Sequence, residues 1–232
     1  MLLEVSRINT YYGISHILFD LSLKIGDGEV VCILGRNGVG KTTTVRSIMG
    51  LTPPLSGSIV FQGIEIRGKR AYEIARLGIG FVPEDRVIFP DLTVKENLEM
   101  GAKRNNGGRW NLKTLCEIFP ILNDRKSQRG GSLSGGEQQM LTIARTLMGN
   151  PKLIMLDEPS EGLAPIIVKE LGNQIYKLKE QGMTLLLVEQ NSKFTLKLSD
   201  RAYIIEKGQM RWVGNVTELK EKPEIMQVYL GV

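Results

Sequence analysis

Eight residues, Gly35-Arg36-Asn37-Gly38-Val39-Gly40-Lys41-Thr42, combine glycines, a lysine and a hydroxyl in the spacing of a phosphate cradle. Glycine backbone lets N–H groups turn inward around an anion, and a helix N-terminus behind them adds a favourable dipole. Lys41 would reach the β- and γ-phosphates of a nucleotide, and the Thr42 hydroxyl would ligate Mg²⁺. A second constellation, Asp157-Glu158, ends the apolar run Leu153-Ile154-Met155-Leu156 and is followed by Pro159. Asp157 can hold Mg²⁺ through its water shell, and Glu158 can polarise the attacking water. A third, Leu133-Ser134-Gly135-Gly136-Glu137-Gln138-Gln139, has capping-box spacing at a helix start. Its two glycines in the first turn cost about 1 kcal/mol each relative to alanine, which bare N–H groups beside an anion would offset.

These segments need strands that end at one place and helices that begin there. Val30-Val31-Cys32-Ile33-Leu34 feeds the first loop, and the run from Lys41 to Met49 is compatible with a helix. Strand-like runs at Glu29 to Leu34, Ile79 to Val82, Leu153 to Leu156 and Thr184 to Val188 alternate with helical stretches. That alternation predicts a mainly parallel sheet with its ligand at the carboxyl ends of the strands. Alternation at Ile17, Phe19, Leu21, Leu23 and Ile25, with the run Ser58 to Phe61, predicts an antiparallel sheet at the nucleotide end. Between Glu84 and Asn150 the pattern is helical, over Val94 to Gly101, Leu112 to Phe119 and the stretch after Ser134, interrupted by Asn105-Asn106-Gly107-Gly108. Beyond Ser199 a hairpin turns at Lys207-Gly208 and a short tail follows, with no room for an appended domain.

The three motifs, in this order and spacing, resemble the Walker A, signature and Walker B motifs of the ATP-binding-cassette ATPases, and the resemblance spans essentially the whole chain. It implies an α/β P-loop NTPase with a RecA-like, mainly parallel core sheet, an antiparallel β-subdomain and an inserted α-helical subdomain. One domain over residues 1–232 is implied, with a nucleotide-binding core at about 1–83 and 151–232 and a helical part at about 84–150 carrying the signature. The implied ligands are ATP, cradled by Gly35, Arg36, Asn37, Gly38, Val39, Gly40, Lys41 and Thr42, and Mg²⁺. Tyr12 would stack on adenine, Thr43 would contact the α-phosphate, and Ser160-Glu161-Gly162 would cross-talk between sites. Two cassettes, identical or sisters, would pair head to tail, Ser134, Gly135, Gly136 and Glu137 of one closing on the γ-phosphate held by the other. Transmembrane permease subunits would be the other direct partners, with a substrate-binding protein reached through the complex. This places the chain as a peripheral protein on the cytoplasmic face of the cell membrane.

Two positions depart from the family pattern. In Gly80-Phe81-Val82-Pro83-Glu84, the Q-loop carries Glu84 in place of glutamine, still an oxygen ligand for Mg²⁺. In Val188-Glu189-Gln190-Asn191, Gln190 stands at the usual histidine position and can donate and accept hydrogen bonds without carrying charge. With Glu158 and the metal ligands intact, hydrolysis is expected to survive. Val82 to Arg86, Glu158 to Pro165 and Val188 to Asn191 narrow the resemblance to ATPase subunits of branched-chain amino acid importers, with urea and short-chain amide importers close by. Other readings are a soluble cassette ATPase acting on ribosomes or DNA, a low-turnover nucleotide-dependent scaffold, and an exporter subunit.

Composition fits this picture. The 232 residues, 42% of them apolar, can bury a sizeable core, and no apolar run reaches the roughly 20 residues of a membrane span. The net charge of +5 arises from Lys and Arg scattered among acidic residues, so no nucleic-acid partner is expected. Cys32 and Cys116 lack metal-ligand spacing and are expected as free thiols in a reducing compartment. The single histidine, His16, is expected to be a strand or surface residue without a role.

Overall fold

A computed structural model describes residues 1–102 and 108–231. Three of the positions in the expected Gly-rich interruption, Asn105, Asn106 and Gly107, lie outside the described residues. In chain order the elements begin with β1 (Leu3–Tyr12), β2 (Ser15–Ile25), β3 (Val30–Leu34) and α1 (Lys41–Ile48). Next come β4 (Ser56–Phe61), β5 (Ile64–Glu65), α2 (Ala71–Leu77) and β6 (Ile79–Val82). The helices α3 (Val94–Gly101), α4 (Leu112–Ile118), α5 (Pro120–Asp124) and α6 (Gly135–Met148) then precede β7 (Leu153–Asp157). The chain continues with α7 (Pro165–Glu180), β8 (Thr184–Glu189), α8 (Ser192–Thr195), β9 (Arg201–Glu206), β10 (Gln209–Asn215), α9 (Val216–Lys220) and α10 (Pro223–Leu230).

Strands buried on both faces carry unbroken apolar runs, and here each run is sorted by its period of two. Val30, Cys32 and Leu34 of β3 face one core, whereas Val31 and Ile33 face the other. Leu185 and Leu187 of β8 join the first core, and Leu186 and Val188 the second. The first core is completed by α3, α4, α6 and α7, the second by α1 and the inner faces of β1, β2 and β4. A six-stranded sheet in the order β10-β9-β3-β8-β7-β6 therefore lies between two apolar layers. Its five inner and β6-side strands run parallel, and β10 closes the edge antiparallel to β9. A second sheet, β2-β1-β4-β5, is antiparallel throughout.

The parallel strands place four loops at one edge. Register pairs Leu34 with Glu189, Asp157 with Val188 and Val82 with Leu156, so Gly35, Glu84, Glu158 and Gln190 follow strands that end side by side. The turn at Lys207-Gly208 joins β9 to β10 as expected, and Gly208 carbonyl accepts from Phe19 N–H, tying the two sheets together.

Three local expectations are corrected. The alternation read in β2 changes phase, because Asp20 adopts φ +46 and the pairing with β1 is irregular there; Leu18 is fully buried while Ile17 and Phe19 are half-buried. Such a bulge inserts one residue and turns the preceding side chains to the other face. The helix from Leu112 to Phe119 ends at Ile118, and Pro120 starts a new helix because it cannot donate into the preceding one. β1 has no counterpart among the expected strands, since its core residues Leu3, Val5 and Ile8 break strict alternation where Arg7 bulges at φ +46.

Candidate functional site

The Gly35–Thr42 loop leaves β3 and delivers Lys41 as the first residue of α1. Gly40 at φ +108 makes that turn, and a side chain there would strike Leu18, so only glycine fits. No side chain caps α1, which leaves its first N–H groups directed at the cavity in front. Lys41 Nζ is almost fully buried, donates to the carbonyls of Gly35 (2.9 Å) and Arg36 (3.1 Å), and pairs with Glu158 Oε1 at 2.9 Å. Glu158 Oε2 accepts the Gln190 backbone N–H at 3.2 Å, so its carboxylate spans the loops after β7 and β8.

Thr42 Oγ1 donates to Asp157 Oδ1 at 3.1 Å. Burial pushes the Asp157 carboxyl up to about 7, with the Thr42 hydrogen bond opposing and the charges of Glu158 and Glu84 adding to the rise. Glu84 is exposed; its carboxyl is raised by partial burial and by Glu161, Asp85 and Glu158. Glu189, buried at the end of β8, accepts the Ser160 N–H at 2.9 Å and the Asn191 N–H at 3.2 Å. It thereby locks the 160–162 loop to the Gln190 loop, a role that its type alone does not reveal.

A cavity of about 410 Å³ gathers the expected residues Tyr12, Asn37, Gly38, Gly40, Lys41, Thr42, Thr43, Glu84 and Glu158, together with Ile17 and Glu161. Gln190 lies in an adjoining cavity that shares Glu158 and Glu161 with the first. Gly35 and Arg36 contribute carbonyls to Lys41, and Val39 packs on the core instead of lining the cavity. Ile17 is an addition: its half-buried side chain beside Tyr12 follows from the bulge in β2. His16 stacks on Tyr11 at 4.1 Å, lies tilted against Phe19 at 3.8 Å and has no place in the cavity lining.

Ser134, Gly135, Gly136 and Glu137 stay outside that cavity. Ser134 accepts the Glu137 N–H and Glu137 accepts the Ser134 N–H, the expected capping box, also used at Thr93 and Glu96. The two glycines sit against side chains of other segments. A side chain at Gly136 would collide with Ile167 of α7, and one at Gly135 would meet the guanidinium of Arg86. Crowding by Ile167 thus gives Gly136 a packing constraint in addition to the expected approach of an anion.

Thr42 and Glu84 line the cavity, and Asp157, expected beside them, is instead buried behind Thr42 and bonded to its hydroxyl; this oxygen-only donor set suits a hard divalent cation. Among the described residues no group of three or more His, Cys, Asp and Glu side chains forms a ready-made metal cage. Cys32 is buried, with its thiol pushed up to about 12 by burial, and Cys116 is half-buried; both are unpaired thiols.

The raised Asp157 carboxyl has a signed consequence for stability. Its ordinary value is 3.8, so between that and about 7 folding takes up a proton and stability contributed by this group falls with rising pH. Asp157→Asn removes the titration. Chemical denaturation at pH 5, 6, 7 and 8 should show the variant gaining on the wild type by up to about 1.4 kcal/mol per pH unit to near pH 7, with a constant difference above it.

The fold and the cavity define an α/β nucleoside triphosphatase of the phosphate-loop class, with a buried lysine and a carboxylate at the phosphate end. A family model described as "ABC transporter" matches residues 18–161. The chain is 42% identical over 232 residues to the high-affinity branched-chain amino acid transport ATP-binding protein BraG of Pseudomonas aeruginosa, covering 99% of this chain and all of that protein. It is 33% identical to the probable branched-chain amino acid transport ATP-binding protein LivF of Archaeoglobus fulgidus, covering 100% and 99%. It is 36% identical to the lipopolysaccharide export system ATP-binding protein LptB of Escherichia coli K12, covering 99% and 97%. Among solved structures, the ADP conformation of an ATP-binding cassette of an ABC transporter superposes with a TM-score of 0.85 at 27% identity, covering 100% and 99%. The chain belongs to the ABC transporter family and is its ATP-hydrolysing cassette.

Proposed function

We propose that this cassette powers import of branched-chain amino acids, working in a head-to-tail pair beneath permease subunits on the cytoplasmic face of the membrane. The observation that carries the cargo is the 42% identity to BraG over both full lengths, above the 36% to LptB. No helix among the described residues is long and apolar enough to cross a membrane, so coupling falls to partner chains. The helical part between β6 and β7, close to the expected 84–150, is the segment proposed to meet them, the rest forming the nucleotide-binding core.

The site chemistry proceeds from the residues already placed. Adenine stacks on the Tyr12 ring with Ile17 beside it, and phosphates settle on the bare N–H groups of Gly38 to Thr43. The γ-phosphate competes with Glu158 for Lys41, so nucleotide binding exchanges one buried ion pair for another. Glu158, released on that side but still held by the Gln190 N–H, is then placed to take a proton from the attacking water. Thr42, Asp157 and Glu84 are the residues that would hold Mg²⁺, whose charge would offset that of the phosphates. Gln190 donates to the γ-phosphate from the next loop, supplying a hydrogen bond in place of a charged contact. Ser134 to Glu137, excluded from the cavity of their own chain, face the nucleotide of the partner cassette.

Stacking gives a graded expectation. Tyr12→Ala should weaken Mg-ATP binding about tenfold, as removal of one base-stacking ring does, whereas Tyr12→Phe should stay within about twofold. Isothermal titration on the isolated chain measures both. The functional reading itself is tested by tagging the chain in its source cell, solubilising membranes gently and identifying what co-purifies. Two multi-span chains with a second cassette are expected; ribosomes or DNA without a membrane chain would overturn it.

A further inference from the structure

Arg86 lies outside the nucleotide cavity and takes no part in the site as expected from the motifs. It follows β6 in the Glu84 loop and adopts φ +47, a backbone conformation that non-glycine residues seldom hold. Its Nη2 donates to the backbone carbonyl of Glu161 at 2.7 Å, and Gly162 abuts the same nitrogen. Its Nη1 occupies the space that a side chain at Gly135 would need, at the start of α6. One guanidinium thus hydrogen-bonds the 160–162 loop with one arm and packs the other against Gly135 at the start of the signature helix, segments more than 20 residues apart in sequence.

The placement is electrostatically costly. A cation at a helix N-terminus meets the positive end of the helix dipole, and among the described residues no carboxylate lies within ion-pair distance of Arg86. A planar fork with several fixed donors can hold two segments at a set angle, which an ammonium cannot do. Two residues earlier, Glu84 lines the cavity of the same chain beside Lys41 and Glu158. The short segment 84–86 therefore reaches the cavity of its own chain at one end and the 160–162 loop and the start of the signature helix at the other.

Resting on the head-to-tail reading above, we propose that Arg86 is a positioning residue: its fork clamps the 160–162 loop to the start of the signature helix, so that both meet the partner's nucleotide as one surface. Arg86 acts on turnover through Gly135 and Glu161 and leaves nucleotide binding within its own cavity untouched.

The test compares full-length wild type, Arg86→Ala and Arg86→Lys. Steady-state Mg-ATP turnover, Mg-ATP affinity by titration, and amide hydrogen exchange of residues 134–137 and 160–162 are measured on each. Both variants should lose turnover about thirtyfold, the scale of one charge-assisted hydrogen bond, with affinity within about twofold and faster exchange in both segments. Lys, which keeps charge but not the fork, should recover less than a tenth of the lost rate. Wild-type turnover and exchange in Arg86→Ala would overturn the clamp. So would full recovery with Lys, which would assign the effect to charge alone, or an equal loss of affinity, which would place Arg86 in the binding site. Turnover is measured in the co-purified complex; if the complex with the wild-type chain fails to hydrolyse ATP, the ATPase-pair reading falls, while the exchange comparison still decides the clamp.

Discussion

Glu158→Gln should bind Mg-ATP at least as tightly as the wild type while turnover falls by a factor of a hundred or more, the scale set by loss of a general base. Glutamine keeps the shape and can still accept the Gln190 N–H, so the loop geometry is retained. What it loses is the negative charge that pairs with Lys41 and that would accept a proton from water. Both partners are over nine-tenths buried, and stranding one member of such a pair costs on the order of 3 kcal/mol. The variant without nucleotide should therefore unfold at a lower temperature, and added ATP, whose phosphates give Lys41 a new partner, should raise its melting temperature by more than it does the wild type's. Differential scanning fluorimetry with and without Mg-ATP, beside phosphate release, reads both effects.

Lys41→Ala should do the reverse, weakening binding before chemistry is reached. The ammonium makes charge-assisted contacts to phosphate worth about 1.5–3 kcal/mol, so affinity should drop roughly ten- to a hundredfold. Its loss also leaves Glu158 buried with only the Gln190 N–H for a partner, which destabilises the fold without nucleotide. Titration calorimetry should find weakened ATP and ADP binding alike, since both nucleotides carry the β-phosphate that Lys41 would reach. A variant that keeps affinity but loses turnover would assign Lys41 to chemistry alone.

The phosphate end of the site was legible because its residues are contiguous: a strand, a glycine turn and a helix start are written in one stretch from Val30 to Ile48. The convergence of Glu84, Glu158 and Gln190 followed from strand-end positions once a parallel sheet was inferred. Contacts between distant segments left no such mark. Ile17 enters the cavity only because Asp20 bulges, and the bulge has no glycine to announce it. Glu189 reads as one more carboxylate until its two backbone donors are seen, and Arg86 reads as a surface arginine until Gly135 and Glu161 are found against it. The glycine pair after Ser134 reads as room for an anion, and nothing in the local sequence announces that Ile167 crowds Gly136 or that the Arg86 guanidinium lies at Gly135, both from segments remote in sequence.

The central claim, that hydrolysis at Glu158 drives movement of branched-chain amino acids, is met most directly by uptake of labelled leucine into proteoliposomes holding the purified complex, with Mg-ATP on the cassette side and the binding protein opposite. The account expects ATP-dependent accumulation with the wild-type chain and at least a tenfold loss with Glu158→Gln. Uptake that is indifferent to Glu158→Gln, or an active ATPase complex that moves no branched-chain amino acid, would contradict it.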